Sequence, residues 1–187
     1  MAEQVERDHF ISHPLAFLGH EFSDRIHFIG GTALARTPLP DSRLSEDIDL
    51  TVLRDRVEVA HDLDAALPRA AARSHGRLIV EPPLGATVDT LPVLLRPAEA
   101  RPVRLQLLLC WDRVLWPTER RALVQRYADV PPAELLVPTL PTFAASKTAT
   151  WLDRRHGPTN KDPEVYLFRD APSDACQWTA ETARGRT

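Results

Sequence analysis

Lysine is nearly absent from this chain. Of 23 basic side chains in 187 residues, two are lysines, Lys147 and Lys161, and the other 21 are arginines. Cysteine is equally scarce. Cys110 sits inside an apolar run and Cys176 stands far from it, with no metal or redox spacing between them, so Cys110 is expected as a buried thiol. The longest apolar runs, such as LQLLLCW, are far too short to span a bilayer. The opening residues MAEQVERDHF have no apolar stretch behind a basic start, which argues against a secretory signal. No G-x-S-x-G, P-loop or Rossmann pattern occurs, and no internal repeat or low-complexity linker. These absences lead to the expectation of a cytoplasmic protein with one domain, or one domain and a small lobe.

What is present fits an ordinary globular chain, with 43% hydrophobic and 26% charged residues. The net charge of −3 is uneven: residues 1–100 carry 10 Lys+Arg against 16 Asp+Glu, and residues 101–187 carry 13 against 10. The second part is therefore the one compatible with a polyanionic partner, although the balance is not that of a dedicated nucleic-acid binder.

Seventeen prolines punctuate a series of short elements. Ser12 with Pro14 is expected to open a helix carrying Leu15, Leu18 and Phe22 on one face. IHFIG reads as a strand ending at Gly30-Gly31, followed by a short helix, TALAR, that must stop by Pro38. DIDLTVL alternates and reads as a second strand. VEVAHDLDAALPRAAARSHG looks helical with a break near Pro68; RLIVE, ATVDTLPVLL and VRLQLLLCW read as three more strands. After Trp116-Pro117 the expectation turns helical, through TERRALVQRYA, FAASKTATWLDRRHG and PEVYLFRDA. The reading is a mixed α/β (α+β) core over residues 1–115, with a small helical lobe over 116–187 packed on it.

The stretch FIGGTALARTPLPDSRLSEDIDLTV combines two features that suit one chemistry. Residues two apart on a strand share a face, so Asp47 and Asp49 point together while Ile48 and Leu50 point into the core. Two carboxylates held this close repel unless a cation sits between them, and Mg²⁺ is the hard, oxygen-seeking ion that also shares its shell with phosphates. Gly30-Gly31, at a strand-to-helix turn, lets the backbone approach an anion closely. Thr32 is expected either to reach a phosphate oxygen or to cap the helix. Arg36 and Arg43 flank the intervening loop and are candidate phosphate contacts. The combination points to nucleotidyl or phosphoryl transfer.

These motifs resemble the DNA polymerase β-like nucleotidyltransferase superfamily, marked by a glycine pair and an hDhDh strand. More narrowly, Gly30, Gly31, Thr32, Leu34, Arg43, Ser45, Asp47 and Asp49 resemble the AbiEii/MenT family of nucleotidyltransferase toxins from AbiE-type toxin–antitoxin systems. The resemblance implies a polymerase β-like mixed-sheet core, with Asp47 and Asp49 on the metal, and Gly30, Gly31, Thr32, Arg43 and Ser45 on the nucleotide. It implies further site residues in Lys147, on a later helix, and in the Lys161-Asp162 pair. It also implies an NTP substrate, transfer to the 3′ end of tRNA that blocks translation, and a cognate antitoxin. The rivals are a small-molecule enzyme, such as an aminoglycoside nucleotidyltransferase, and a non-catalytic nucleotide- or RNA-binding domain.

One departure from the superfamily stands out. Gln106 in VRLQLLL occupies the place of a third acidic residue, with Asp89 a less direct substitute. Lys147, Trp151 and Arg154 share a helix face by spacing, with Trp151 expected as core. Asp162 is also a natural N-cap before Pro163. Ser45, two before Asp47, is expected on the same side, where a phosphate on its hydroxyl would repel an incoming triphosphate. His27 is expected to be structural. His9 and His13 are four apart, but Pro14 and the lack of further ligands speak against zinc.

Overall fold

The computed structural model describes residues 2–155 except 41–43, 45, 54, 89–90, 99 and 110–116. Helix α1 (Ala2–Glu21) opens the chain and holds Pro14 in its interior. The expected start at Ser12 is therefore corrected. Phe10 and Ile11 are fully buried alongside Leu15 and Leu18, and this burial offsets the helix bond that a proline nitrogen cannot make.

Strand β1 (Ile26–Ile29) runs directly into α2 (Gly30–Arg36), which stops two residues short of Pro38. Strand β2 (Asp47–Val52) follows, then α3 (Arg56–Ala66), whose first turn is capped by the Asp55 carboxylate accepting from the backbone N–H groups of Val57 and Glu58. Pro68 falls in a short 3-10 turn, Leu67–Arg69, that ends the helical run where the break was expected. Strands β3 (Ile79–Glu81), β4 (Val93–Arg96) and β5 (Val103–Leu108) come next.

Beyond residue 116 the structure corrects one element. TERRA is not helical but forms β6 (Thr118–Ala122), paired antiparallel with β7 (Glu134–Pro138) from Thr118↔Pro138 to Ala122↔Glu134. Its charged, largely exposed side chains suit an edge strand, which gains from charge and shows no apolar alternation to betray it. Helical structure begins only with α4 (Leu140–Arg155), anchored by buried Phe143; PEVYLFRDA lies outside the described residues.

The seven strands of the described residues join one mixed sheet in the order β3-β4-β5-β2-β1-β7-β6, parallel at β2/β5 and β1/β7 and antiparallel elsewhere. The strands after residue 116 thus extend the sheet of the preceding part. Period two sorts the central strands into two faces. Ile26, Phe28, Ile48, Leu50, Val52, Leu105 and Leu107 are all buried on one face and join α1 and α3 in a single core. Asp47 and Asp49 stand half-buried on the other face.

Candidate active site

Gly30 and Asp49 are fitted to one another. Ile29 pairs with Asp49 across β1 and β2, which brings the next residue, Gly30, against the Asp49 carboxylate. Gly30 has φ +81°, and a Cβ placed on it would lie 2.1 Å from Asp49 Oδ2 and 2.9 Å from its Cγ. Both the left-handed backbone and the absent side chain are needed here. Glycine at this position is what lets the carboxylate rest on the mouth of α2.

Asp47 is held through its backbone. The buried Thr32 hydroxyl donates a short hydrogen bond to the Asp47 carbonyl, tying the first turn of α2 to the start of β2. In this arrangement the one hydroxyl proton of Thr32 is engaged by the Asp47 carbonyl, so Thr32 bears on the site through the position of Asp47. The residue before α2, apolar Ile29, supplies no capping side chain.

The neighbouring strand completes the cluster. In the parallel β2/β5 register Asp49 pairs with Gln106 and Asp47 with Arg104. Gln106 therefore stands beside Asp49, on the strand where the superfamily pattern has a third carboxylate. Arg104 is exposed next to Asp47 and was missed in reading the sequence. The signal was available: it precedes Gln106 by two on an alternating strand, so it shares that residue's face. The set offers two carboxylates and an amide oxygen to a cation, and a guanidinium to an anion.

Other expected residues are placed apart. Lys147 is exposed on α4, which packs on β7, and β7 is separated from β2 by β1. Arg43, Ser45, Asp89, Cys110, Lys161, Asp162 and Cys176 lie outside the described residues.

Arg36 is a correction. It is buried, and its guanidinium donates to Asp8 Oδ1 at 2.7 Å, to the Asp8 carbonyl at 3.0 Å, to Ser12 Oγ at 2.9 Å and to the Val124 carbonyl at 3.2 Å. Arg126 and Tyr127 reach the same carboxylate at 3.2 Å and 3.0 Å. Arg36 thus fixes α2 against α1 and is not available to a phosphate. His27 is also buried, with Leu136 beside it on β7, and burial pulls its pKa down to about 4.

A family model described as "Nucleotidyl transferase AbiEii toxin, Type IV TA system" matches residues 16–170. The chain belongs to the AbiEii nucleotidyltransferase toxin family. The matched segment contains Gly30, Gly31, Thr32, Asp47, Asp49, Gln106 and Lys147, as well as Lys161 and Asp162. Among solved structures it is similar to MenT4, a nucleotidyltransferase toxin from Mycobacterium tuberculosis H37Rv, with a TM-score of 0.62 and 22% identity over 82% of this chain. That match covers 56% of MenT4, so the chain spans little more than half of that protein's length. The likeness is one of fold. An antigenic nucleotidyltransferase-like protein from Paracoccidioides brasiliensis aligns over 97% of this chain and 89% of its own, at 13% identity and a TM-score of 0.49. No curated protein matches the sequence. Among the described residues, no helix is long and apolar enough to cross a membrane.

Proposed function

We propose that this AbiEii-family chain is a metal-dependent nucleotidyltransferase toxin that transfers nucleotides from an NTP to the 3′ end of tRNA, under the control of a cognate antitoxin. The observation that carries the reading is the packing of the Asp49 carboxylate on side-chain-free Gly30, with Asp47 on the same strand face. Such a site has no use for an apolar ligand. Its donors are hard oxygens, the set that Mg²⁺ selects.

In this reading Asp47 and Asp49 hold the Mg²⁺, which when bound neutralises phosphate oxygens and orients the phosphoryl group. The triphosphate lies against the Gly30-Gly31 turn, and Lys147 reaches it from α4 as a compact, mobile charge. The acceptor's terminal hydroxyl oxygen attacks the α-phosphorus; a new P–O bond forms, the α–β anhydride bond breaks, and pyrophosphate leaves. Gln106 is neutral and orients a water or the ribose without accepting the proton. That leaves the two aspartates as the nearest bases. By the family resemblance Arg43 and Ser45 act on the nucleotide, and Asp162 is a further catalytic residue. The excess of basic over acidic residues after position 100 supports a polyanionic acceptor.

Incubation with each α-labelled NTP, Mg²⁺ and total RNA tests the proposal. Label at the 3′ end of tRNA is expected, and none with folded Asp49→Asn. Transfer to a small cationic acceptor but not to RNA would replace tRNA with a small-molecule substrate. Nucleotide binding without transfer to any acceptor would leave a binding domain, the reading that Gln106 in place of an acid favours.

A further inference from the structure

His9 and His13 lie before the family-matched residues, so the nucleotidyl-transfer reading leaves them unexplained. They are one turn apart on α1 and project together. The fold brings two further groups to them that the sequence separates widely: His75, from the loop after α3, and Asp129, from the β6–β7 connection. His9 Nε2 lies 2.9 Å from Asp129 Oδ2, His13 Nε2 lies 3.4 Å from that same oxygen, and the two Nε2 atoms are 3.4 Å apart. His75 Nε2 stands 3.0 Å from His9 Nδ1.

We propose that His9, His13, His75 and Asp129 form a structural Zn²⁺ site that clamps α1 to these two loops. Zinc at its usual bond lengths sets tetrahedral ligands roughly 3.3 Å apart. The three separations among His9, His13 and Asp129 bracket that edge. One nitrogen from each histidine already lies within 4.8 Å of the others. His75 Nε2 faces His9 Nδ1, whereas His13 and Asp129 face His9 Nε2, so closing the set of four requires the His75 side chain to turn toward the Nε2 side of His9. Imidazole nitrogens with one carboxylate select zinc over the Mg²⁺ that suits Asp47 and Asp49. Four protein ligands close the coordination shell, as in a structural rather than a catalytic centre.

The surroundings fit that role. Burial, together with the neighbouring His9, holds the pKa of His13 and of His75 below the usual histidine range. The Tyr127 ring stacks edge-on to His9 with centroids 4.7 Å apart, and its hydroxyl donates to Asp8 Oδ2. The clamp therefore abuts the Asp8–Arg36 pair that holds α2.

The test uses untagged full-length protein stripped by chelator and dialysed. Zn²⁺ is titrated against a chromophoric competitor, and Co²⁺ is added separately to read coordination by its visible absorption. One tight equivalent, an intense tetrahedral Co²⁺ spectrum and a higher melting temperature with Zn²⁺ are expected. His13→Gln and His75→Gln should each weaken binding by about a hundredfold or more. Asp47→Asn/Asp49→Asn should keep the tight equivalent. Should a histidine variant fail to fold by circular dichroism, Asp129→Asn at the exposed ligand carries the test, through weaker binding and a changed Co²⁺ spectrum. Absence of a tight equivalent, unchanged binding in the folded ligand variants, or loss in the double aspartate variant would overturn the proposal. None of these readouts depends on nucleotidyl transfer.

Discussion

Gly30→Ala separates a glycine that the backbone needs from one that the site needs. At φ +81° an alanine costs about 1–2 kcal/mol, because its Cβ crowds the following carbonyl. For a chain of this size that lowers the melting temperature by roughly 2–8 °C. The second effect is local. The new Cβ falls 2.1 Å from Asp49 Oδ2, far inside van der Waals contact, so the carboxylate must retreat by about 1 Å. A displacement of that size at a reacting centre costs on the order of 100-fold in rate. Gly76→Ala is the matched control: it carries a similar φ of +71°, and its nearest obstacle is Ala98 Cβ at 3.3 Å. Both variants should melt lower, and only Gly30→Ala should lose transfer. The assay is single-turnover incorporation of labelled nucleotide into RNA, well below both melting temperatures. Wild-type transfer by Gly30→Ala, or equal loss in both variants, would refute the fit between Gly30 and a catalytic Asp49.

Lys147→Ala should lower transfer at least tenfold, equivalent to about 1.4 kcal/mol of transition-state stabilisation, with Lys147→Arg recovering part of it; full activity in the alanine variant removes the residue from the site. Asp8→Ala leaves the buried Arg36 without its counter-charge and should destabilise by about 3–5 kcal/mol, read from the denaturant midpoint at unchanged m. His27, neutral in the fold down to about pH 4, takes up a proton on unfolding below about pH 6.5. Its contribution is therefore present above pH 6.5, is lost as pH falls toward 4, and amounts to about 3 kcal/mol at most. His27→Leu should flatten the wild-type stability curve across that window; identical slopes would contradict the burial argument.

The features that could be read from the sequence were local. Alternation in DIDLTV and the Gly30-Gly31 junction were readable because a two-residue period and a glycine pair need no distant partner to be recognised. The alternation of VRLQLLL marked β5 as a strand, and its register then sets Gln106 beside Asp49. What stayed hidden depended on remote contacts. TERRA shows its strand character only when Leu135 and Val137 of β7 lie beside it. Pro14 argued for a helix start, and only burial of the preceding turns reverses that. Arg36 was read as a phosphate contact because nothing in the sequence links it to Asp8, 28 positions away. His75 and Asp129 were equally invisible from His9.

These remote contacts give α1 a part in the site that its position in the chain does not suggest. Arg7 forms an ion pair with Glu46, the residue before Asp47. Asp8 holds Arg36 at the end of α2, and Thr32 in the first turn of α2 holds the Asp47 carbonyl. α1 is thus joined to the start of β2 both directly and through α2. The direct pair is exposed on the Glu46 side and worth little alone, whereas the Asp8–Arg36 pair is buried and strongly penalised if broken. The route through α2 is therefore the one that sets the position of Asp47. A clamp at His9, one residue from Asp8, acts on the stronger of the two connections.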